Sequence, residues 1–489
     1  MEQEELKRIS QVAQEGPYIP EWDSLGQFQV PKWFRDAKFG IFIHWGLYSI
    51  PAHGNEWYSR NMYRKGSEEW EYHRKVYGDQ TKFGYKDFIP LFRAEKFDPD
   101  QWAQLIKEAG ARYAVPVAEH HDGFQMYKSR ISRFNAYDMG PCRDILGELK
   151  TAFEAKGLQF GTSSHRAEHW FFMSHGKEFD SDVREPMKRG DFYWPAMPEP
   201  EHFDLYSTPA PSEEYLEDWL LRTVELIDCY MPKILYFDWW IQHQAFKPYL
   251  KLLTAYYYNR AEKLGKTAAV CYKHDALMFG SGIVDMERGK FAEVQPFYWQ
   301  TDTAAARNSW CYTDSLDYKS GREIILNLID VVSKKGNLLL NIGPKGDGSI
   351  APGDQKILRE VGDWLHTNGE AVYGSRPWKR AAEGPTVEKT GMFTDQSCPE
   401  YTKEDFRFTV KGGSLYVFAL VYPEDGKLLI RSLAEEEDFD SNLFKGIIRE
   451  ISILGFPEKP QWHRDRQGLH ISTGTVRTDL PAVIKIEIQ

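Results

Sequence analysis

Residues 98–124 read DPDQWAQLIKEAGARYAVPVAEHHDGF, and the fold class follows from them. Asp98 offers a side-chain oxygen to the free N–H groups of a helix start, Pro99 has no N–H to lose at the first helical position, and Gly110 suits the closing turn. After this helix, residues 113–118 form an unbroken apolar run, as a strand covered on both faces requires. The run then ends abruptly in Glu119, His120, His121 and Asp122. Working outward, the alternation continues from about Trp33 to about Tyr373. Further apolar runs occupy 38–44, 158–163, 234–237, 268–272, 293–298 and 337–342, and helical segments start near Tyr215, Phe246, Gly321 and Pro352. Seven candidate strands separated by crossovers predict an α/β fold, a barrel over residues 1–375. Beyond Gly374 come short alternating runs, FRFTV, SLYVFALV, KLLIRSL, IREISILGF and AVIKIEI, parted by Gly-Gly, Asp-Gly and Pro turns. They predict a small antiparallel β domain over residues 376–489.

The chain has 489 residues, 42% hydrophobic and 27% charged, with a net charge of −11 and a mean hydropathy of −0.56. That composition excludes disordered, collagen-like and membrane-spanning classes. Without a basic block, no nucleic-acid partner is expected. The start MEQEELKRIS lacks the basic and apolar regions of a secretory leader, so a cytoplasmic location is expected, with a trimmed secreted or periplasmic form left open. Cys142, Cys229, Cys271, Cys311 and Cys398 show no CxxC spacing, which speaks against a zinc knuckle or a disulfide framework. Aromatic residues make up 15% of the chain, consistent with a large core and equally with rings stacking on sugar faces.

In a βα barrel, reactive side chains project from the C-terminal ends of the strands. Here the first strand ends in IHWG with His44 and Trp45, the second in EHHDGF, the third in SSHRAEHW with His165, and the fourth in ILYFDWW with Asp238 between aromatics. A carboxylate among aromatics is costly unless hydrogen-bonded or functional, so Asp238 reads either as a helix-capping acid or as a nucleophile. Adjacent His120 and His121 point to opposite sides of a strand, which favours hydrogen bonding over joint metal ligation. GPKGDG lacks the pattern of a phosphate loop and reads as a turn into the Pro352 helix, and no GxSxG is present.

Taken together, KWFRDAKFGIFIHWGLYSIPAHGNEWYSRNMY, AEHHDGF, the Asp of ILYFDWW, the SWCY segment and NLLLNIGPKGDGSI resemble family 29 glycoside hydrolases, the retaining α-L-fucosidases, over almost the whole chain. The resemblance implies that the barrel is (β/α)8-like and that the C-terminal domain is an antiparallel β-sandwich, with no metal or organic cofactor and a fucosylated glycan or oligosaccharide as substrate, and with a homo-oligomer left open. It also implies Asp238 as the nucleophile, and His44, Glu56, Trp57, His120 and His121 as fucose contacts. Glu287 in VDMERGK is the expected acid/base, with Glu293 as its competitor, because another family position for the acid is occupied here by Gln300. The chain departs from the family pattern at 161–165, where Gly161 to His165 replace tyrosines. It departs again at Tyr236 for Trp, and at Lys273 where an Arg is common. Trp45, Trp57, His165, Tyr236, Trp239 and Trp299 are expected to complete the pocket. A glycosidase for a related sugar such as α-L-galactose, and a catalytically inactive carbohydrate-binding protein, are the alternatives.

Overall fold

The computed structural model describes residues 2–202, 204–435 and 444–489. Nine parallel strand segments form the first sheet. They are β1 (Phe39–Ile43), β2 (Tyr113–Glu119), β3 (Gln159–Phe160), β4 (Thr162–Ser164), β5 (Leu235–Phe237), β6 (Val270–Tyr272), β7 (Ile283–Asp285), β8 (Trp299–Ala304) and β9 (Gly336–Ile342). Because β3 and β4 both pair with β2, they are one interrupted strand. Pairing of β1 with both β2 and β9 closes the sheet into an eight-stranded barrel. The helix read from the sequence spans Pro99–Glu108, and the Asp98 carboxylate accepts from the Gln101 N–H at 3.0 Å. Helices Glu213–Tyr230, Lys247–Lys263, Gly321–Ser333 and Pro352–Asn368 occupy the other expected crossovers. Among the described residues no helix is long and apolar enough to cross a membrane.

The barrel corrects two strand expectations. Residues 293–298 are irregular, and the strand begins directly after them at Trp299. Pro296 lacks the N–H a ladder needs, whereas WQTDTA reads as polar only because its inward side chains find partners inside the barrel. The Gln300 amide donates to Asp285 Oδ2 and accepts from the Tyr113 hydroxyl, both at 2.8 Å. The short β7 follows a Gly-rich turn, and three residues are too few to show a period. Gly40 makes room for the Tyr113 ring, since a Cβ there would lie 2.4 Å from Cζ.

The C-terminal strands are β10 (Arg376–Glu383), β11 (Phe406–Lys411), β12 (Ser414–Ala419), β13 (Lys427–Ile430), β14 (Ile448–Ile453), β15 (Gln461–Arg464), β16 (Leu469–Ser472) and β17 (Ala482–Ile488). They build a five-stranded antiparallel sheet in the order β10-β11-β12-β17-β14 and a three-stranded one in the order β13-β16-β15. Phe406, Phe408, Val417 and Ile484 of the larger sheet share a core with Leu428, Ile430 and Ile471 of the smaller, which makes the pair a sandwich. The opposite face of the larger sheet, with Phe418 and Val483, joins the barrel's core, and the Trp364 indole donates to the Pro481 carbonyl at 2.8 Å. Between the two parts, Asp330 is buried and ion-paired with Arg407 and Lys334, each at 2.7 Å.

Candidate active site

A cavity of about 330 Å³ opens at the C-terminal ends of the barrel strands. Its floor is polar and its walls are aromatic. Asp238 follows β5 directly, so the strand's buried Leu235, Tyr236 and Phe237 fix where its carboxylate emerges. Lys273, in the same position after β6, donates to Asp238 Oδ1 at 2.9 Å and to Glu287 Oε2 at 2.6 Å. Asp302 Oδ2 lies 3.5 Å from the same ammonium and accepts from the Tyr236 hydroxyl at 2.7 Å. Glu287 sits just past β7, where the Trp239 indole also donates to its Oε2 at 2.8 Å.

The two carboxyls are driven apart in acidity. Burial opposes ionisation of Asp238, but Lys273, His165 and His121 outweigh it and hold the group well below the usual carboxylate range. At Glu287 burial dominates, the nearby Asp238 and Asp302 charges add to it, and Lys273 offsets only part, so its pKa is pushed up to about 7. The Lys273 ammonium, itself penalised by burial, is held charged by Asp238, Asp302 and Glu287.

Four histidines complete the floor. Asn341 donates its amide to the Trp310 carbonyl at 2.6 Å, so its oxygen faces His44 Nδ1, also at 2.6 Å. His44 Nδ1 therefore carries the proton and Nε2 is left as an acceptor. Burial and the neighbouring rings keep His44 well below the ordinary histidine pKa. His121 Nδ1 donates to the His165 carbonyl at 2.8 Å, and burial pushes its pKa down to about 3. Its bare Nε2 then lies 3.5 Å from Asp238 Oδ2 and is left as an acceptor for a ligand hydroxyl. His165 Nδ1 donates to that same carboxylate oxygen at 3.2 Å. His120 Nδ1 is buried without a partner. Glu56 accepts from the Trp310 N–H at 3.1 Å, and Trp57 stands edge-on to His121.

Ligating atoms of His44, His120 and His165 lie within 4.8 Å of one another, as do those of His121, His165 and Asp238. Either group could hold a metal ion. The adjacent His120 and His121 fall in different groups, yet both lie past the end of β2 with ring centroids 4.3 Å apart and both line the cavity, so the expectation that a strand turns them to opposite faces does not hold.

The expected site residues His44, Glu56, Trp57, His120, His121, His165, Tyr236, Asp238, Trp239 and Glu287 all line the one cavity. Two aromatics do not. Trp299 is the first residue of β8, so it lies at the barrel end away from the rim, fully buried, its indole donating to the Lys334 carbonyl at 2.9 Å. Trp45 turns outward into the core against Phe92, Phe97 and Trp102. Glu293 is exposed and outside the cavity. Gln300 is enclosed in the barrel interior. Not expected from the sequence were Phe42, Glu168, Asp302, Trp310 and Phe393. Glu168 and Trp310 lie in motifs already notable, SSHRAEHW and SWCY, and the rule that strand ends form the site would have found Lys273. Glu168 is buried, its Oε2 without a hydrogen-bond partner and 3.8 Å from His121 Nδ1, and burial together with Asp238 raises its pKa well above the ordinary value.

Residues 6–370 match the family model described as Alpha-L-fucosidase. The chain belongs to the α-L-fucosidase family. It is thus a glycoside hydrolase. Human tissue α-L-fucosidase is 31% identical over 462 residues, covering 93% of this chain and 87% of the relative. The fucosidase of Dictyostelium discoideum is 28% identical, over 84% of this chain and 83% of its own length. Among solved structures, the Thermotoga maritima α-fucosidase with a mechanism-based inhibitor superposes with a TM-score of 0.75 at 30% identity, covering 96% of this chain and 99% of that one. The same bacterial enzyme in complex with fucose gives a TM-score of 0.73.

Proposed function

We propose that the chain is a retaining exo-α-L-fucosidase, with Asp238 as nucleophile and Glu287 as acid/base. The observation that carries this reading is the single Lys273 ammonium between the two carboxyls. The bonded oxygens lie no farther apart than its two hydrogen bonds laid end to end, which does not exceed the about 5 to 5.5 Å of retaining glycosidases and is short of the wider spacing of inverting ones. One carboxyl is ionised and the other is protonated below about neutrality, as attack and leaving-group protonation require at the same moment. Asp238 attacks the anomeric carbon while Glu287 gives its proton to the departing oxygen. Glu287 then takes a proton from water, which opens the fucosyl ester with net retention. A cavity near the small end of ligand-site volumes suits one terminal pyranose, hence exo action.

The wild-type protein is expected to release 4-nitrophenol from 4-nitrophenyl α-L-fucoside, and proton NMR is expected to show α-L-fucose as the first product. The β anomer appearing first would overturn retention, and a faster α-L-galactoside would move the specificity to that sugar.

The bare acceptors of His44 and His121 support binding of sugar hydroxyls. His44→Ala should lower kcat/KM on the aryl fucoside by roughly 5- to 150-fold, the worth of one buried hydrogen bond whose partner is left unpaired. An unchanged kcat/KM would remove His44 from the sugar site.

A further inference from the structure

Phe393 comes from the C-terminal part of the chain yet lines the barrel's cavity. It lies on the segment linking β10 to β11, which runs back across the barrel rim. There Lys290 and Gly391 exchange backbone hydrogen bonds, the Phe393 N–H donates to the Glu287 carbonyl at 3.0 Å, and the Thr394 N–H donates to the Arg288 carbonyl at 2.8 Å. The segment is fastened to the loop that carries Glu287. Phe393 itself is 49% exposed and has a left-handed φ of 57°, a conformation bulky residues rarely adopt. Core packing does not account for a half-exposed ring held at that cost. The ring lies nearly parallel to Trp239, with centroids 6.0 Å apart at 18°, and Trp239 in turn contacts the His274 ring at 4.4 Å. Since the Trp239 indole also bonds Glu287, an aromatic ridge stands beside that carboxyl.

We propose that Phe393 and Trp239 form a leaving-group subsite that stacks on the flat apolar face of the ring attached to the sugar in the cavity, a pyranose or an aryl group. The proposal rests on the reading of Glu287 as the acid. An acid must reach the glycosidic oxygen, so whatever lies on the open side of Glu287 faces the leaving group. Trp239 ties ridge and acid together through one hydrogen bond, so a ring seated on the ridge would direct its glycosidic oxygen at Glu287. Aromatic faces are suited to this contact because they give much apolar area with few rotatable bonds.

The test compares wild type, Phe393→Ala and Phe393→Trp on three substrates: α-L-fucosyl fluoride, 4-nitrophenyl α-L-fucoside and a fucosylated disaccharide with a pyranose leaving group. Fluoride is too small to reach the ridge. Phe393→Ala is expected to leave kcat/KM for the fluoride within about twofold and to raise KM for the disaccharide about tenfold, while Phe393→Trp stays near wild type. A matching KM rise on the aryl fucoside assigns the subsite to aromatic rings as well, and a rise confined to the disaccharide assigns it to sugars. Equal losses on all three substrates overturn the subsite and leave Phe393 as a residue positioning the Glu287 loop, and an unchanged disaccharide KM also overturns it. Failure of the wild type to hydrolyse even the fluoride strikes instead at the fucosidase reading beneath it.

Discussion

Asp238→Gly is expected to lower turnover of 4-nitrophenyl α-L-fucoside on the order of ten-thousand-fold, about 5.4 kcal/mol of barrier, with little change in melting temperature. The size of the effect comes from two losses that act together. The covalent route disappears with the carboxylate. In addition, Lys273 loses its 2.9 Å partner and is left to Glu287 and Asp302, while the Asp238 charge that helps raise the Glu287 pKa is gone. Glu287 then ionises at lower pH, so less of it holds the proton that a leaving group needs near neutrality. Added azide should therefore restore turnover for aryl fucosides, whose leaving groups need no proton, and should yield the β-fucosyl azide. It should restore little for disaccharides. Stability is spared because the carboxylate sits at the rim with 14% of its side chain exposed, and its removal relieves a crowded acidic floor. Turnover within tenfold of wild type would remove Asp238 from the nucleophile's role.

The barrel was legible where burial imposes a continuous apolar run. Tyr113–Glu119 and Gly336–Ile342 are covered on both faces, and both read as strands at once. It was illegible where the interior is polar. Trp299–Ala304 carries Gln300 and Asp302 inward, and their partners Tyr113, Asp285 and Tyr236 lie on strands distant in sequence, so no local pattern announces them. The same limit governs the site. His44, His120 and Asp238 end apolar runs and could be placed by position alone, but Trp45 and Trp299 show that a tryptophan near a strand end says nothing of which way its ring turns. Phe393 was beyond reach for another reason. It lies more than a hundred residues from Glu287 in sequence, and backbone hydrogen bonds of residues 391–394 to the 287–290 loop bring it to the cavity.

Glu287→Gln separates the two halves of the reaction by what each needs from a proton. With a disaccharide, whose departing hydroxyl is a poor leaving group, loss of the acid should reduce kcat/KM by about a hundred- to ten-thousand-fold. With an aryl fucoside the first step needs no proton, so 4-nitrophenol should appear in a fast burst equal to the enzyme present. The slow phase that follows is hydrolysis of the fucosyl ester without its base. The pH profile gives a second, independent readout. Because burial and the Asp238 charge push Glu287 up to about 7, the wild-type kcat/KM on the disaccharide should fall as pH rises through about 7 and the acid is lost. Asp238, held ionised by Lys273 against the penalty of burial, keeps the acidic side active well below the usual carboxylate range. In Glu287→Gln that alkaline fall should vanish, since the residue that titrates there is gone. A fall that persists unchanged in the variant would assign the titration to another group lining the cavity, for which buried Glu168 is the first to examine, as burial also raises its pKa and its Oε2 has no hydrogen-bond partner.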